Sequence, residues 1–393
     1  MISPIIMVLF ANCCMAGQIN NGLAPEITDL NAKDVSYNLE KKIPYLKKPY
    51  ICTAPKAMND NIPVGELGVD GGDKELIVKW ALEIAKPTRN EKAGKIDSLL
   101  IAFKGKLLFE SYYRRGRINY PHYQMSITKA YTALALGRAI QLGYLKPEDV
   151  HKPVIDFLSQ LDRSKLVAGA DKITLDQVMT MSSGIRLDKD VIRKLTRHPD
   201  QLKGQKQVQA YLQYSAPIPA PPRAFKYQGS DPTITMQVID AVVPGSARDF
   251  IRTELLGKLG ITNYAWQPDI SGLPKAAAGT SIRSRDMLKF GMLILNKGKW
   301  RGEQLIPADF IVRATSPLKH PSGDNFYGYF WWVRTFTVGG KKYRSCQGRG
   351  AGGQFIFVFP ELELIVVSTA HNKGMGTMLN DIPQRVIPAF VKP

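Results

Sequence analysis

Met125-Ser126-Ile127-Thr128-Lys129 opens onto Ala130-Tyr131-Thr132-Ala133-Leu134-Ala135-Leu136-Gly137-Arg138-Ala139-Ile140-Gln141-Leu142, and the reading of this stretch decides the reading of the rest. The run is rich in strong helix formers and carries apolar residues at helical spacing. Gly143 suits a C-terminal cap, and Pro147 lies just beyond. Ser126 is therefore expected in the first turn of a buried helix, and residues three apart share a helix face, so Lys129 stands beside it. A hydroxyl with an amine next to it, at a helix N-terminus, is one way to make a nucleophile. The plain alternative is an N-cap serine followed by a solvated lysine. The same spacing recurs at Ser316-Pro317-Leu318-Lys319, where Pro317 and Pro321 speak for a loop.

Working outward, Ser98 to Phe103, Lys104-Gly105 and Leu107 to Tyr113 read as strand, turn and strand, so the sheet is at least partly antiparallel. Asp73 to Lys86 reads as an amphipathic helix. Downstream, helices are expected at 173–181, 190–215, 233–243, 247–259 and 284–297. A proline-rich loop, Pro217 to Pro222, delivers Phe225-Lys226-Tyr227-Gln228-Gly229-Ser230. Strands are expected at 327–334, 343–347, 354–359 and 362–369. The order implies a mixed α/β fold: a central antiparallel sheet built from both chain ends, flanked by helices, with a large helical insertion. The expected division is an N-terminal extension over 17–95 including a helix, a sheet domain from 96–135 and 276–393, and a mainly helical domain over 136–275. Residues 17–70, rich in turns and proline, are expected to wrap the surface.

Length and composition agree with a folded protein. The 393 residues are 44% hydrophobic and 9% aromatic. The formal net charge of +19 suggests an anionic neighbourhood such as a cell envelope. The basic residues are dispersed, with small clusters at Lys41-Lys42, Lys47-Lys48 and Lys341-Lys342, and no nucleic-acid-binding signature is present. Residues 1–16 resemble a short secretory signal: Ile5 to Phe10 is apolar, and Cys14-Met15-Ala16 ends in small residues. An exported protein, periplasmic or extracellular, is expected. Cleavage after Ala16 would leave Cys52 and Cys346, as a pair or as two free thiols.

Gly348-Arg349-Gly350-Ala351-Gly352-Gly353 matches the spacing of a dinucleotide fingerprint, but a strand follows it and gives a phosphate no helix N-terminus. The five histidines, His122, His151, His198, His320 and His371, show no ligand spacing in sequence. No metal and no cofactor are expected. No Gly-x-Ser-x-Gly elbow occurs.

Ser126-x-x-Lys129, Tyr227 after a proline loop, and a glycine strand at 348–353 stand in an order that resembles the serine β-lactamase and penicillin-binding-protein superfamily. The chain is most similar to its class C β-lactamase-like hydrolases, which include esterases and the 6-aminohexanoate-dimer hydrolase. The resemblance runs over roughly residues 97–372 and takes in Met179 to Ile185, Ala278 to Ser281, Arg285-Asp286-Met287 and Gly353 to Ile356. It implies that Ser126 forms an acyl-enzyme, that Lys129 acts as base, and that Tyr227 relays protons. It also implies an oxyanion hole made by the backbone N–H groups of Ser126 and Ala351. Gly350, Gln354 and Trp331 are implied substrate-binding positions; for Trp331 and Trp332 core burial is the plain alternative. Two departures are visible. Tyr227-Gln228-Gly229 lacks the asparagine of the second motif, and Gly348-Arg349-Gly350 lacks the cation of the third, with Arg349 expected to face away. These departures favour a small ester or amide as substrate. β-Lactamase or D,D-peptidase-type activity, and a non-catalytic protein that binds an anionic polymer, are the alternatives.

Overall fold

The computed structural model describes residues 23–28, 35, 37–86, 95–372, 374–375 and 377–391. The signal-like run 1–16, with Cys13 and Cys14, lies outside the described residues. A nine-stranded antiparallel sheet runs in the order Tyr50–Cys52, Lys106–Tyr112, Ile96–Phe103, Leu364–Ala370, Gln354–Phe359, Lys341–Gly350, Trp332–Val338, Asn325–Tyr327, Lys319–Ser322. The first and last parts of the chain meet where Leu364–Ala370 pairs with Ile96–Phe103 through Val367↔Leu100. Both chain ends therefore build one sheet, as the strand–helix–strand order predicts.

Alternation along these strands feeds two cores. Leu100, Ala102, Ile356, Val358, Ile365 and Val367 turn to one face, against Ala130 and Leu134 of the Thr128–Gln141 helix, Ile127 of the turn before it, and Leu288 of the Ser284–Leu295 helix. Leu99, Ile101, Phe355, Phe357, Leu364 and Val366 turn to the other, under Ile77 and Trp80 of Lys74–Ala85 and Ile382 and Val386 of Met378–Phe390. With both faces covered, the central strands read as unbroken apolar runs. The helix at Lys74–Ala85 starts where Asp73 accepts a hydrogen bond from the Leu76 backbone N–H.

Several expectations need correction. Residues 17–70 do not only wrap the surface: Tyr50–Cys52 pairs with Lys106–Tyr112 as an edge strand, and Ile51 and Cys52 are buried. The expected helix over 190–215 is broken into Lys189–Thr196, a short turn at Pro199–Leu202, and Lys206–Tyr214, with Gly204 (φ +56°) before the last. The terminal helix Met378–Phe390 carries Pro383 and Pro388, which masked it in the sequence. Cys52 and Cys346 are both buried free thiols. No described helix is long and apolar enough to cross a membrane.

The Thr128–Gln141 helix packs so tightly that Gly137 is required. A Cβ there would lie 2.6 Å from Ile306 Cγ2 and 2.7 Å from Phe310 Cδ1. Alanine in a helix interior normally gains about 1 kcal/mol over glycine. Here overpacking of about 1–3 kcal/mol opposes that gain. Gly137→Ala should thus lower the urea midpoint without changing the slope, against the usual propensity rule.

Candidate active site

Ser126 sits in a 3-10 turn, Met125–Ile127, that leads directly into the Thr128–Gln141 helix. It makes no capping hydrogen bond, so the N-cap alternative falls. Lys129, one turn on, is 4% exposed and donates from Nζ to Ser126 Oγ at 3.0 Å and to the Ala277 carbonyl at 2.7 Å. Its third side faces the Tyr227 ring, 4.7 Å from the centroid. None of these three neighbours is a carboxylate. Burial alone brings the amine from its ordinary range down to about 7.

The turn before the serine is held under strain. Met125 has φ +49°, a left-handed conformation unusual for a side-chain-bearing residue. Its carbonyl accepts from Thr128 Oγ1 at 2.7 Å, and the Gln124 N–H donates to the Thr280 carbonyl at 2.8 Å. Thr128 Oγ1 also meets Thr280 Oγ1 at 2.8 Å, and Thr132 donates to the Ala276 carbonyl at 3.2 Å. Residues 276–280 thus clamp the serine turn and the lysine from the far side. Gly350 completes the clamp: a Cβ there would stand 2.4 Å from the Gln124 carbonyl oxygen, so only glycine lets this strand approach.

Tyr227 leans over Lys129. Burial pushes its phenol up, and hydrogen bonding with Ser126 and the Arg349 charge pull it partly back. Its ring tilts against Trp332 at 5.6 Å and meets Tyr327 edge-on at 6.1 Å. The next residue, Gln228, donates to Asp231 Oδ1 at 2.7 Å and to Ser183 Oγ at 3.2 Å. Ser183 and Ser230 hydroxyls also donate to Asp231, at 2.8 and 3.0 Å. This buried network, reaching Met179 to Ile185, anchors the loop that carries Tyr227.

The third element differs from expectation. The ladder between Trp332–Val338 and Lys341–Gly350 ends at Trp332↔Gln347, so the backbone from Gly348 onward runs past the end of that pairing. Ala351 follows in an exposed turn. Arg349 does lie on the face opposite Gly350, but its guanidinium folds over Trp332 at 4.6 Å and sits in the aromatic cluster around Tyr227. It donates to Gln347 Oε1 at 2.6 Å and Asn325 Oδ1 at 2.9 Å, while Nη2 is buried without a hydrogen-bond partner. Burial and the charge of Arg334 bring its pKa down to about 9. Trp332, not Trp331, is the tryptophan beside Tyr227; Trp331 is fully buried in the core. Gln354 is also buried, with its amide engaged by the Ala370 backbone. The decoy Ser316 lies in a loop, donating to the Val312 carbonyl at 2.6 Å.

A groove of about 610 Å³ adjoins the site, bordered by Lys226, Gln228, Gly229, Tyr211, Lys275 and Ala277. A larger cavity of about 1080 Å³ lies elsewhere, between Asp73, Phe103 and Phe390, and none of the Ser126 group lines it.

The family model "Beta-lactamase" matches residues 98–385, which contain every residue of this site. The chain belongs to the Beta-lactamase family. It is a serine hydrolase by that membership. Its fold is similar to that of a candidate 6-aminohexanoate-dimer hydrolase from Bacillus anthracis, with a TM-score of 0.65, 17% identity, and coverage of 93% of this chain and 97% of that one. It is also similar to EstCE1, a hydrolase with promiscuous acyltransferase activity (TM-score 0.61, 16% identity, 80% and 98% covered). A class C β-lactamase gives a TM-score of 0.59 at 16% identity, with 81% and 95% covered. At these identities the likeness is one of fold. No curated protein matches the sequence.

Ala277 and Asp231 carry no signal in their sequence context, whereas the sequence marks Trp332 as pocket or core and Arg349 as facing away. Asp231 offers a direct test of the loop anchor. Burial raises its pKa from 3.8 to about 6, with the Ser183, Gln228 and Ser230 hydrogen bonds opposing the rise. The folded state thus holds the proton more tightly than the unfolded chain. Its stabilising effect is present below about pH 4 and is lost as pH rises through about 6. Asp231→Asn should remove this slope, which amounts to on the order of 3 kcal/mol, in urea melts taken across that window.

Proposed function

We propose that the protein cleaves a small ester or amide through an acyl-enzyme on Ser126. The observation that carries this reading is a buried amine, 3.0 Å from the serine hydroxyl, whose neutral form is reached around pH 7 and above. Lys129 takes the Ser126 proton as Oγ attacks the substrate carbonyl. The backbone N–H groups of Ser126 and Ala351 receive the developing oxyanion. Tyr227, kept neutral by its raised pKa, hands a proton to the leaving group, is reprotonated by the Lys129 ammonium, and later helps activate water. The groove beside Gln228 and Ala277, with mixed polar and apolar walls, is suited to one arm of the substrate.

A fluorophosphonate should label Ser126 in peptide mapping, and Ser126→Ala should abolish both labelling and turnover of short-chain nitrophenyl esters and amides. Lys129→Met should cost at least about 10³-fold in kcat/KM. Labelling of another serine, or full activity in Ser126→Ala, overturns the reading. The pH profile follows from the lysine: protonated, it cannot accept the proton. The rate should rise about tenfold per pH unit below about 7 and level off above it.

A second reading, with a β-lactam or a carboxylated peptide as substrate, is favoured by Arg349. A buried guanidinium with an unpaired Nη2 and no carboxylate among its hydrogen-bond partners is costly unless an anion completes it. On this reading Arg349→Gln should raise KM for carboxylated substrates by roughly 10-fold or more and leave uncharged esters little changed. Equal effects on both classes would count against it.

A further inference from the structure

The histidines show no ligand spacing in sequence, but the fold gathers two of them. His122 comes from the short strand His122–Tyr123, four residues before Ser126. His371 follows the end of the strand Leu364–Ala370. Glu40 comes from the N-terminal helix Tyr37–Glu40. Glu40 Oε1 lies 2.7 Å from His122 Nδ1 and 3.1 Å from His371 Nε2. Exposure of Glu40 is 1% and of His122 0%.

Three details set this group apart from an ordinary buried ion pair. Despite these short separations, Glu40 Oε1 and both ring nitrogens of His122 make no aligned hydrogen bond. His371 donates from Nδ1 to Asp97 Oδ2 at 2.5 Å, which orients the ring so that Nε2 faces Glu40 Oε1. The other Glu40 oxygen, Oε2, accepts from the Tyr123 backbone N–H at 2.9 Å, which holds the carboxylate in place. The three ligand atoms lie within 4.8 Å of one another. At 2.7 and 3.1 Å the two separations are shorter than the roughly 3.3 Å edge expected for a zinc tetrahedron, so the side chains would move apart to admit an ion.

We propose that Glu40, His122 and His371 form a binding site for a borderline divalent metal ion of the zinc type, which clips the N-terminal segment to the strand leading into Ser126. Two imidazoles and one carboxylate suit zinc or cobalt over calcium or magnesium, which take oxygen ligands. The ion would also neutralise Glu40 and Asp97, two carboxylates buried beside the imidazoles. It would stiffen the path from His122 through Gln124 to the strained Met125. The site is independent of the role assigned to Ser126.

The test uses the tag-free chain, stripped with a chelator and reloaded with zinc or cobalt, with bound metal counted by elemental analysis. One metal per chain is expected, with visible d–d bands for cobalt and a higher Tm loaded than stripped. Glu40→Gln and His371→Asn, checked for folding by circular dichroism, should each weaken binding at least tenfold. Asp97→Asn, which leaves all three ligands in place, should weaken it roughly 10- to 100-fold. A folded wild-type chain that takes up no stoichiometric metal overturns the site. So does metal binding that persists unchanged in Glu40→Gln and His371→Asn. A Tm that responds to pH and not to metal would show the group to be held by protons alone, which also overturns it.

Discussion

The structure depends on an amine that has been buried without a counter-ion. A carboxylate beside Lys129 would hold the proton on, and the lysine would be a cation at every working pH. Here Nζ has a hydroxyl, a carbonyl and an aromatic face for neighbours. Moving its pKa from 10.5 to about 7 favours the neutral form by on the order of 5 kcal/mol. Such an environment has to be enforced by packing. The Thr128–Gln141 helix is buried along nearly its whole length, the 276–280 segment closes one side, and Tyr227 closes the other. The strain at Met125 persists because Thr128, Thr280 and Gly350 over-determine the turn from three directions.

The sheet supplies the rigidity this arrangement needs. With helices on both faces and apolar side chains alternating between two cores, its central strands have little freedom to shift register. Beside the serine turn the sheet is interrupted. Pairing with Trp332–Val338 stops at Gln347, so Gly348 to Ala351 run on beside the serine turn with that edge of the backbone left open. Glycine at 350 sets how close the strand comes to the serine turn.

Much of this was legible in the sequence, for identifiable reasons. The 96–112 hairpin and the C-terminal strands announce themselves by long apolar runs between turns, and the serine helix by composition and its Gly143 stop. Ser126 and Lys129 are readable together because a helix brings residues three apart to one face, so the chemistry is local. Tyr50–Cys52 was not readable, since three residues carry too little periodicity, and Pro383 and Pro388 disguised the last helix. Ala277 was missed because a backbone carbonyl 148 residues from Lys129 leaves no trace in side-chain chemistry. The same distance in sequence hid the meeting of Glu40, His122 and His371. Arg349 is the instructive error. Alternation placed it on the correct face, opposite Gly350. The cleft, however, lies along the end of a ladder, and a long side chain folding over Trp332 reaches it from that face.

That placement bears on how the proposed chemistry balances its charges. Tyr227 lies between a neutral amine and a guanidinium, with burial raising its pKa and Arg349 lowering it. Before attack, Arg349 is the cation among the groups surrounding Tyr227. When Ser126 passes its proton to Lys129, a second positive charge appears close by, and in a medium of low dielectric two such charges repel strongly. The same step creates the oxyanion, so the net charge of the site does not change. Without a substrate carbonyl to carry that negative charge, moving the proton to Lys129 would leave a charged serine oxygen with no oxyanion donors arranged around it. In the proposed mechanism proton transfer from Ser126 is thus coupled to attack, with negative charge forming on the substrate carbonyl as positive charge forms on Lys129.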